Sequence, residues 1–263
     1  MSLSIIEIND FFPPNIKAFY TTRVGGYSSS PYSTFNLAEN VGDDPISVEK
    51  NRNKLLKRLK LRAVWLEQTH GNEICDIDTL FELADKKFKF KTPVADSSIT
   101  SVKNHGAVIM TADCLPVLVS SFHGEVIGAI HCGWRGLTNG IIESFFINFF
   151  KKLEQKTKKG DVFIWLGPCI SKECYRIDPE LKNQFIKHKI EFETAFTSIG
   201  KRIFMDIKQI AMIQIRTVLE SYEHQAQFHV DNMCTYRNNE LFFSYRRENV
   251  TGRQASLIFK NKT

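Results

Sequence analysis

The stretch at 107–153, AVIMTADCLPVLVSSFHGEVIGAIHCGWRGLTNGIIESFFINFFKKL, decides the fold class. Three apolar runs, 107–111, 116–121 and 126–130, are too short for helices and read as buried strands. Ser121-Phe122-His123-Gly124 between the last two is a hairpin signal, which makes that pair antiparallel. The period then changes. Ile141, Ile142, Phe145, Phe146, Phe149, Phe150 and Leu153 recur at helical spacing before a lysine-rich end and Gly160, as in a helix laid on a core. Hairpin strands mixed with helical excursions predict an α+β fold with mixed sheets in layers.

Outward from this stretch, further β-rich runs lie at 17–22, 63–68, 73–77, 162–166, 241–245 and 255–259. Asp44 and Pro45 read as an N-cap and first-turn proline, opening a helix to Lys60 with Val48, Leu55, Leu56 and Leu59 on its apolar face. A third helix is expected at 207–221. No repeat of 20–50 residues and no low-complexity linker divides the chain, which predicts a single domain over 1–263. No Gly-x-Gly-x-x-Gly follows a strand and no Gly-Lys-Ser/Thr phosphate loop occurs, which disfavours a doubly wound nucleotide fold.

The 263 residues are 43% hydrophobic and 24% charged, so the chain can bury a sizeable core, and disorder, fibrous repeats and disulfide-stapled miniproteins are excluded. No window approaches 18 uncharged apolar residues, and the acidic opening lacks the basic start of a signal peptide. A cytoplasmic protein without a membrane partner is expected, and a monomer. The net charge of +6 is spread thinly. Its densest run, 151–159, reads as a solvated helix end rather than a nucleic-acid patch, leaving small anions as the expected partners. The six cysteines read as reduced thiols.

Three segments gather the reactive side chains: Gln68-Thr69-His70-Gly71, Thr111-Ala112-Asp113-Cys114-Leu115-Pro116 and His131-Cys132-Gly133-Trp134-Arg135-Gly136. Each follows a predicted strand, where functional groups stand on a rigid base. One thiolate and two imidazoles, His70, Cys114 and His131, suit a zinc ion with three protein ligands, at separations too long for a zinc finger. Equally, Cys114 could be a nucleophile with His131 as its base. Asp96 and Asp113 are candidates for proton transfer. Cys132, Cys169, Cys174 and Cys234 read as structural or supporting.

The Gly133–Gly136 turn precedes the phenylalanine-rich helix, which predicts an anion site built from its N-terminus and the Arg135 guanidinium. Arg246, Arg247 and Arg253 cluster near the C-terminus, and Arg246 is a second candidate for binding phosphate or a nucleoside.

The ordered motifs Thr21 to Gly26, Phe35-Asn36-Leu37, Val41 to Asp44, Asn51-Arg52, the three segments above, Leu166 to Ile170, Cys174-Tyr175, Phe243 to Arg247 and Thr251-Gly252-Arg253 resemble the YfiH-like polyphenol oxidase or laccase-domain family across nearly the whole chain. The resemblance implies a layered α/β/β/α fold, similar to the cysteine hydrolase fold of cytotoxic necrotizing factors. It implies a metal, usually zinc and possibly copper, on His70, Cys114 and His131. It also implies purine nucleoside phosphorolysis (adenosine, inosine, S-methyl-5′-thioadenosine) with adenosine deaminase activity. Catalytic roles then fall to Cys114, His131 and Arg135, with Arg246 contacting the anion. The alternatives are a cysteine amidohydrolase acting on cell-wall precursors and a copper-dependent polyphenol oxidase. The sequence departs from the family at Cys132, where alanine is common, and at Arg176, where glutamate is. Seven histidines with no His-x-His pair disfavour a multicopper laccase.

Overall fold

The computed structural model describes residues 4–84, 91–154 and 160–261. Its elements run β1 (Ile5–Glu7), β2 (Ile16–Thr21), α1 (Pro45–Leu59), β3 (Arg62–Val64), β4 (Ile74–Asp76), α2 (Ile77–Ala84), β5 (Ser97–Thr100) and β6 (His105–Thr111). Then come β7 (Leu115–Ser121), β8 (Ile127–Cys132), α3 (Trp134–Thr138), α4 (Ile141–Glu154), β9 (Val162–Leu166), β10 (Arg176–Ile177) and α5 (Pro179–His188). The chain closes with β11 (Phe196–Ile199), β12 (Arg202–Met205), α6 (Ile207–Ser221), β13 (Ala226–Val230), α7 (Tyr245–Glu248) and β14 (Gln254–Lys260).

Two mixed sheets form the centre, ordered β1-β2-β14-β6-β3 and β13-β9-β7-β8-β5-β4, with a small β10-β12-β11 sheet beside them. The expected hairpin is present: β7 and β8 pair antiparallel from Leu115 opposite Cys132 to Ser120 opposite Ile127. Strand alternation sorts the side chains into three cores. Ala18, Tyr20, Ala107 and Ile109 of the first sheet meet Leu118, Ile127, Ala129 and Trp165 of the second, joining the sheets face to face. On the outer face of the second, Val117, Val119 and Ile164 pack on the phenylalanines of α4 and on Ile207, Ile210 and Ile215 of α6. On the outer face of the first, Val108 and Leu257 meet Phe35, Leu37 and Leu55 of α1. The order is therefore helix, sheet, sheet, helix, in an α+β fold of mixed sheets. Among the described residues no helix is long and apolar enough to cross a membrane.

The three expected helices form. Asp44 caps α1 by accepting from the Ile46 and Ser47 N–H groups, and Pro45 occupies its first turn. Three expectations need correction. Residues 241–245 are not a strand: they are turn and the start of α7, whose cap is Ser244. The strand expected at 63–68 stops at Val64. Arg135 does not open the phenylalanine-rich helix; it lies in the five-residue α3, and Gly140 (φ 80°) separates that turn from α4. The basic run after α4 lies partly outside the described residues, at 155–159. Within it Lys152 is not simply solvated, because its Nζ lies 2.8 Å from Asp76 and 2.9 Å from Asp78.

Candidate active site

Asp96, fully buried just before β5, organises two of the three reactive segments. Its carboxylate accepts the backbone N–H groups of Thr69 at 3.0 Å, His70 at 3.0 Å and Gly71 at 2.7 Å. It also accepts Nδ1–H of His131 at 2.7 Å. Burial opposes this charge, yet the bond and charge of His131 and the backbone donors hold the Asp96 carboxyl below the usual carboxylate range. One side chain thus fixes the His70 loop and the ring orientation of His131, leaving His131 Nε2 to face Cys114.

His131 is buried near the end of β8, and Cys114 is half-buried just before β7. Cys114 Sγ lies 3.8 Å from His70 Nε2, and the His70 and His131 rings meet edge to face with centroids 4.8 Å apart. One donor atom from each of His70, Cys114 and His131 falls within 4.8 Å of the others, the one group of at least three such side chains among the described residues. The backbone is strained to reach this arrangement: His70 (φ 61°) and Asp113 (φ 99°) are non-glycine residues in the left-handed region. Gly133 closes the cradle, since a Cβ there would stand 2.6 Å from His70 Cδ2 and 3.3 Å from Cys114 Sγ. The donor set fits a small thiophilic cation, and the Asp96–His131 bond is the partnership that usually orients a metal-binding imidazole.

Burial pushes the Cys114 thiol up, but the charges and hydrogen bonds of His131 and His70 outweigh it and bring it down to about 6. Burial pushes His131 down, and the Cys114 and Asp96 charges carry it the other way, to about 9. Both shifts favour the thiolate–imidazolium form of the metal-free pair. Cys132 behaves oppositely: fully buried and facing the Cys114 charge, its thiol is driven well above the ordinary value. Cys169 is likewise pushed up to about 12 by burial. All six cysteines are free thiols.

The cluster opens into a cavity of about 490 Å³. Four arginines line it, each against an aromatic ring: Arg52 on Trp65 (4.3 Å), Arg135 on Trp134 (4.2 Å), Arg246 on Tyr175 (5.1 Å) and Arg253 on Tyr245 (5.9 Å). Three are anchored from behind: Arg52 to the Leu37 carbonyl, Arg246 to the Arg176 carbonyl and Arg253 to the Thr251 and Gly252 carbonyls. Guanidinium edges and ring faces therefore share one chamber, suited to an anion and a flat heterocycle. Arg135 and Arg246 both line it and are exposed. Asp113 also lines the cavity, and its carboxylate accepts from Thr235 Oγ1 (2.7 Å), Ser244 Oγ (3.0 Å) and the Arg246 N–H (2.7 Å). Sequence reasoning missed Arg52 and Trp65; the Asn51-Arg52 motif was the signal, but nothing local connects it to the cavity.

Residues 17–261 match the family described as multi-copper polyphenol oxidoreductase laccase. The chain is 35% identical over 249 residues to the purine nucleoside phosphorylase YfiH of Shigella flexneri, covering 94% of this chain and 95% of that one. It is 34% identical over 263 residues to a purine nucleoside phosphorylase of Haemophilus influenzae, covering 98% and 99%. A Neisseria meningitidis protein of known structure superposes with a TM-score of 0.86 at 30% identity, covering 99% of this chain and 100% of the other.

Proposed function

The chain belongs to the multi-copper polyphenol oxidoreductase laccase family, and from the phosphorylase names of its relatives we propose that it is a purine nucleoside phosphorylase using one zinc ion on His70, Cys114 and His131. The observation that carries this reading is a juxtaposition: the Asp96-braced His-Cys-His cluster opens into a cavity ringed by arginine–aromatic pairs. In phosphorolysis a phosphate oxygen bonds to C1′ of the ribose as the C1′–N9 bond breaks. The electron pair leaves on the purine, which takes up a proton, giving free base and ribose 1-phosphate.

Each part of that reaction has a group to serve it. Arg135 and Arg246 hold the phosphate and bring it to the sugar, converting a bimolecular encounter into a positioned one. The aromatic rings of the wall stack the purine. Asp96 holds His131 as the Nδ1–H tautomer and keeps the His70 loop in register with Cys114. Zinc held by the trio would supply Lewis acidity at the cavity wall. Adenosine deamination at the same site, in which water replaces the 6-amino group and ammonia leaves, is the second activity within this reading. A multicopper array is disfavoured by the donor inventory, since His105, His123, His188, His224 and His229 all lie outside the cluster.

A second reading rests on the Cys114–His131–Asp96 line itself. It has the geometry of a thiol hydrolase in which the thiolate adds to an amide carbonyl and His131 protonates the departing amine. Metal dependence separates the two. Base release from adenosine and inosine would be followed with and without phosphate, in zinc-loaded and chelator-treated protein. Phosphate-dependent release that is abolished by chelation and restored by zinc is expected. Hydrolysis of amides that survives chelation, with no base release, would replace phosphorolysis by the thiol mechanism.

A further inference from the structure

A second cavity of about 510 Å³ adjoins the first, and Trp134, Tyr175 and Arg246 border both. The remaining wall comes from β10 and the first turns of α5. Arg176, Ile177 and Asp178 all line it; Ile177 is buried, while Arg176 and Asp178 are exposed. Glu180, Leu181 and Gln184 of α5 complete the wall. Asp178 stands at the α5 N-cap without making the capping bond, although that position usually spends its side chain on the helix. Among the described residues no hydrogen bond or ion pair engages the side chains of Arg176, Asp178, Glu180 or Gln184 within the protein.

The first chamber already has the volume for a nucleoside and phosphate. The second is therefore room for something attached to the nucleoside, and its charges indicate what. Arg246 borders both cavities and is committed to the phosphate; the rest of the wall carries Arg176 with Asp178 and Glu180, so it presents both signs. A phosphate ester gains from Arg176 and loses to the acids. A purely apolar group leaves these charges unanswered. A group carrying a carboxylate and an ammonium on one carbon answers both signs at once, with Leu181 beside it for a methylene stem.

Resting on the nucleoside reading of the main cavity, we propose that this second cavity seats an α-amino acid group carried at the 5′ end of a purine nucleoside. The carboxylate faces Arg176, and the ammonium faces Asp178 and Glu180. Substrates of the phosphorylase then extend to 5′-thioether nucleosides that end in an amino acid, and the bond broken remains C1′–N9.

Calorimetric titration of the full chain with S-adenosylhomocysteine, 5′-methylthioadenosine and adenosine 5′-monophosphate tests this. S-adenosylhomocysteine is expected to bind about tenfold more tightly than 5′-methylthioadenosine. Arg176→Ala and Glu180→Gln should each weaken only the amino-acid compound, by about three- to tenfold, as befits exposed charges. Equal affinity for the two thioethers, tightest binding of the monophosphate, or equal losses for both thioethers in the variants would overturn the proposal. Phosphorolysis of adenosine, measured in parallel, keeps the two claims apart. Base release from adenosine with no advantage for S-adenosylhomocysteine removes the seat and leaves the phosphorylase. The advantage without base release from any nucleoside removes the phosphorylase and leaves the seat. Failure of every nucleoside to bind removes both.

Discussion

At the scale of single residues the site turns on Asp96, whose carboxylate accepts three backbone N–H groups and one imidazole. Asp96→Asn presents an amide whose NH₂ faces donors and whose charge is gone. Zinc affinity, read by competition with a chromogenic chelator, should drop about 10- to 100-fold, with phosphorolysis falling alongside. Unchanged affinity would mean that the trio needs no brace. The trio itself was legible in the sequence, because His, Cys and His each sit in a punctuated strand-end motif. The role of Asp96 was not, because its partners lie 25 to 35 residues away and hydrogen bonding across that distance leaves no local pattern. Cys114 offers a second measurement. In metal-free protein its alkylation by iodoacetamide should reach half its plateau rate near pH 6, falling below that pH as the thiolate takes up a proton. His131→Ala removes the cationic partner and leaves the burial, so the midpoint should move above the ordinary thiol value of about 8.5. An ordinary midpoint in the unaltered protein would break the ion-pair assignment.

At the scale of elements, legibility follows how the backbone is satisfied. Helices α1, α4 and α6 could be read because caps and a 3.6-residue apolar period are local properties. Residues 241–245 misled because Leu241, Phe242 and Phe243 are apolar like a strand while their polar backbone groups are answered by side chains. The Phe243 N–H donates to Gln254 Oε1, the Phe242 carbonyl accepts from Arg247, and Asp113 takes the Arg246 N–H. Gln68 does the same past the end of β3, its amide exchanging two hydrogen bonds with the Met110 backbone where a strand partner would stand. The fit of α4 on the sheet gives a test. A Cβ on Gly128 would lie 2.6 Å from Phe145 Cζ and 2.7 Å from the Ser98 carbonyl oxygen, so Gly128→Ala should cost about 1–3 kcal/mol in urea unfolding. Loss of less than about 0.5 kcal/mol would mean that the helix is free to shift away from the sheet. On α3, Arg135 is exposed and stacks on Trp134, and exposure limits what it contributes. Arg135→Ala should raise the KM for phosphate about three- to tenfold and leave adenosine deamination unchanged. An equal fall in both would assign Arg135 to the nucleoside instead.

At the scale of the whole molecule, three carboxylates tie distant parts of the chain together. Asp78 accepts from Thr100, Ser101 and Lys152; Asp96 joins the 69–71 loop to β8; and Glu248 bridges Arg23, Arg247 and Thr251. For each, burial works against the charge, and hydrogen bonds and cations overcome it, so all three are held below the ordinary carboxylate range. The sign of the pH effect follows. Below the unfolded values of about 3.9 for Asp and 4.3 for Glu, the unfolded chain binds protons that the native chain refuses, so acid favours unfolding. Their contribution is complete above about pH 5 and disappears as pH falls through the lowered native values. The thermal midpoint of metal-free protein should therefore be level with respect to these groups from pH 7 to 5 and drop steeply below 4. Asp78→Asn isolates one of them. It removes the charge that Lys152 and Ser101 answer, which should cost about 2 kcal/mol at pH 7. That deficit should shrink as pH falls below about 3.9, because the unfolded aspartate then takes up a proton that native Asp78 refuses, and it should disappear only once pH has passed below the lowered native value. A deficit that stays constant from pH 7 to pH 3 would show that Asp78 acts through shape and neutral hydrogen bonds alone, and that the acid sensitivity of the fold resides elsewhere.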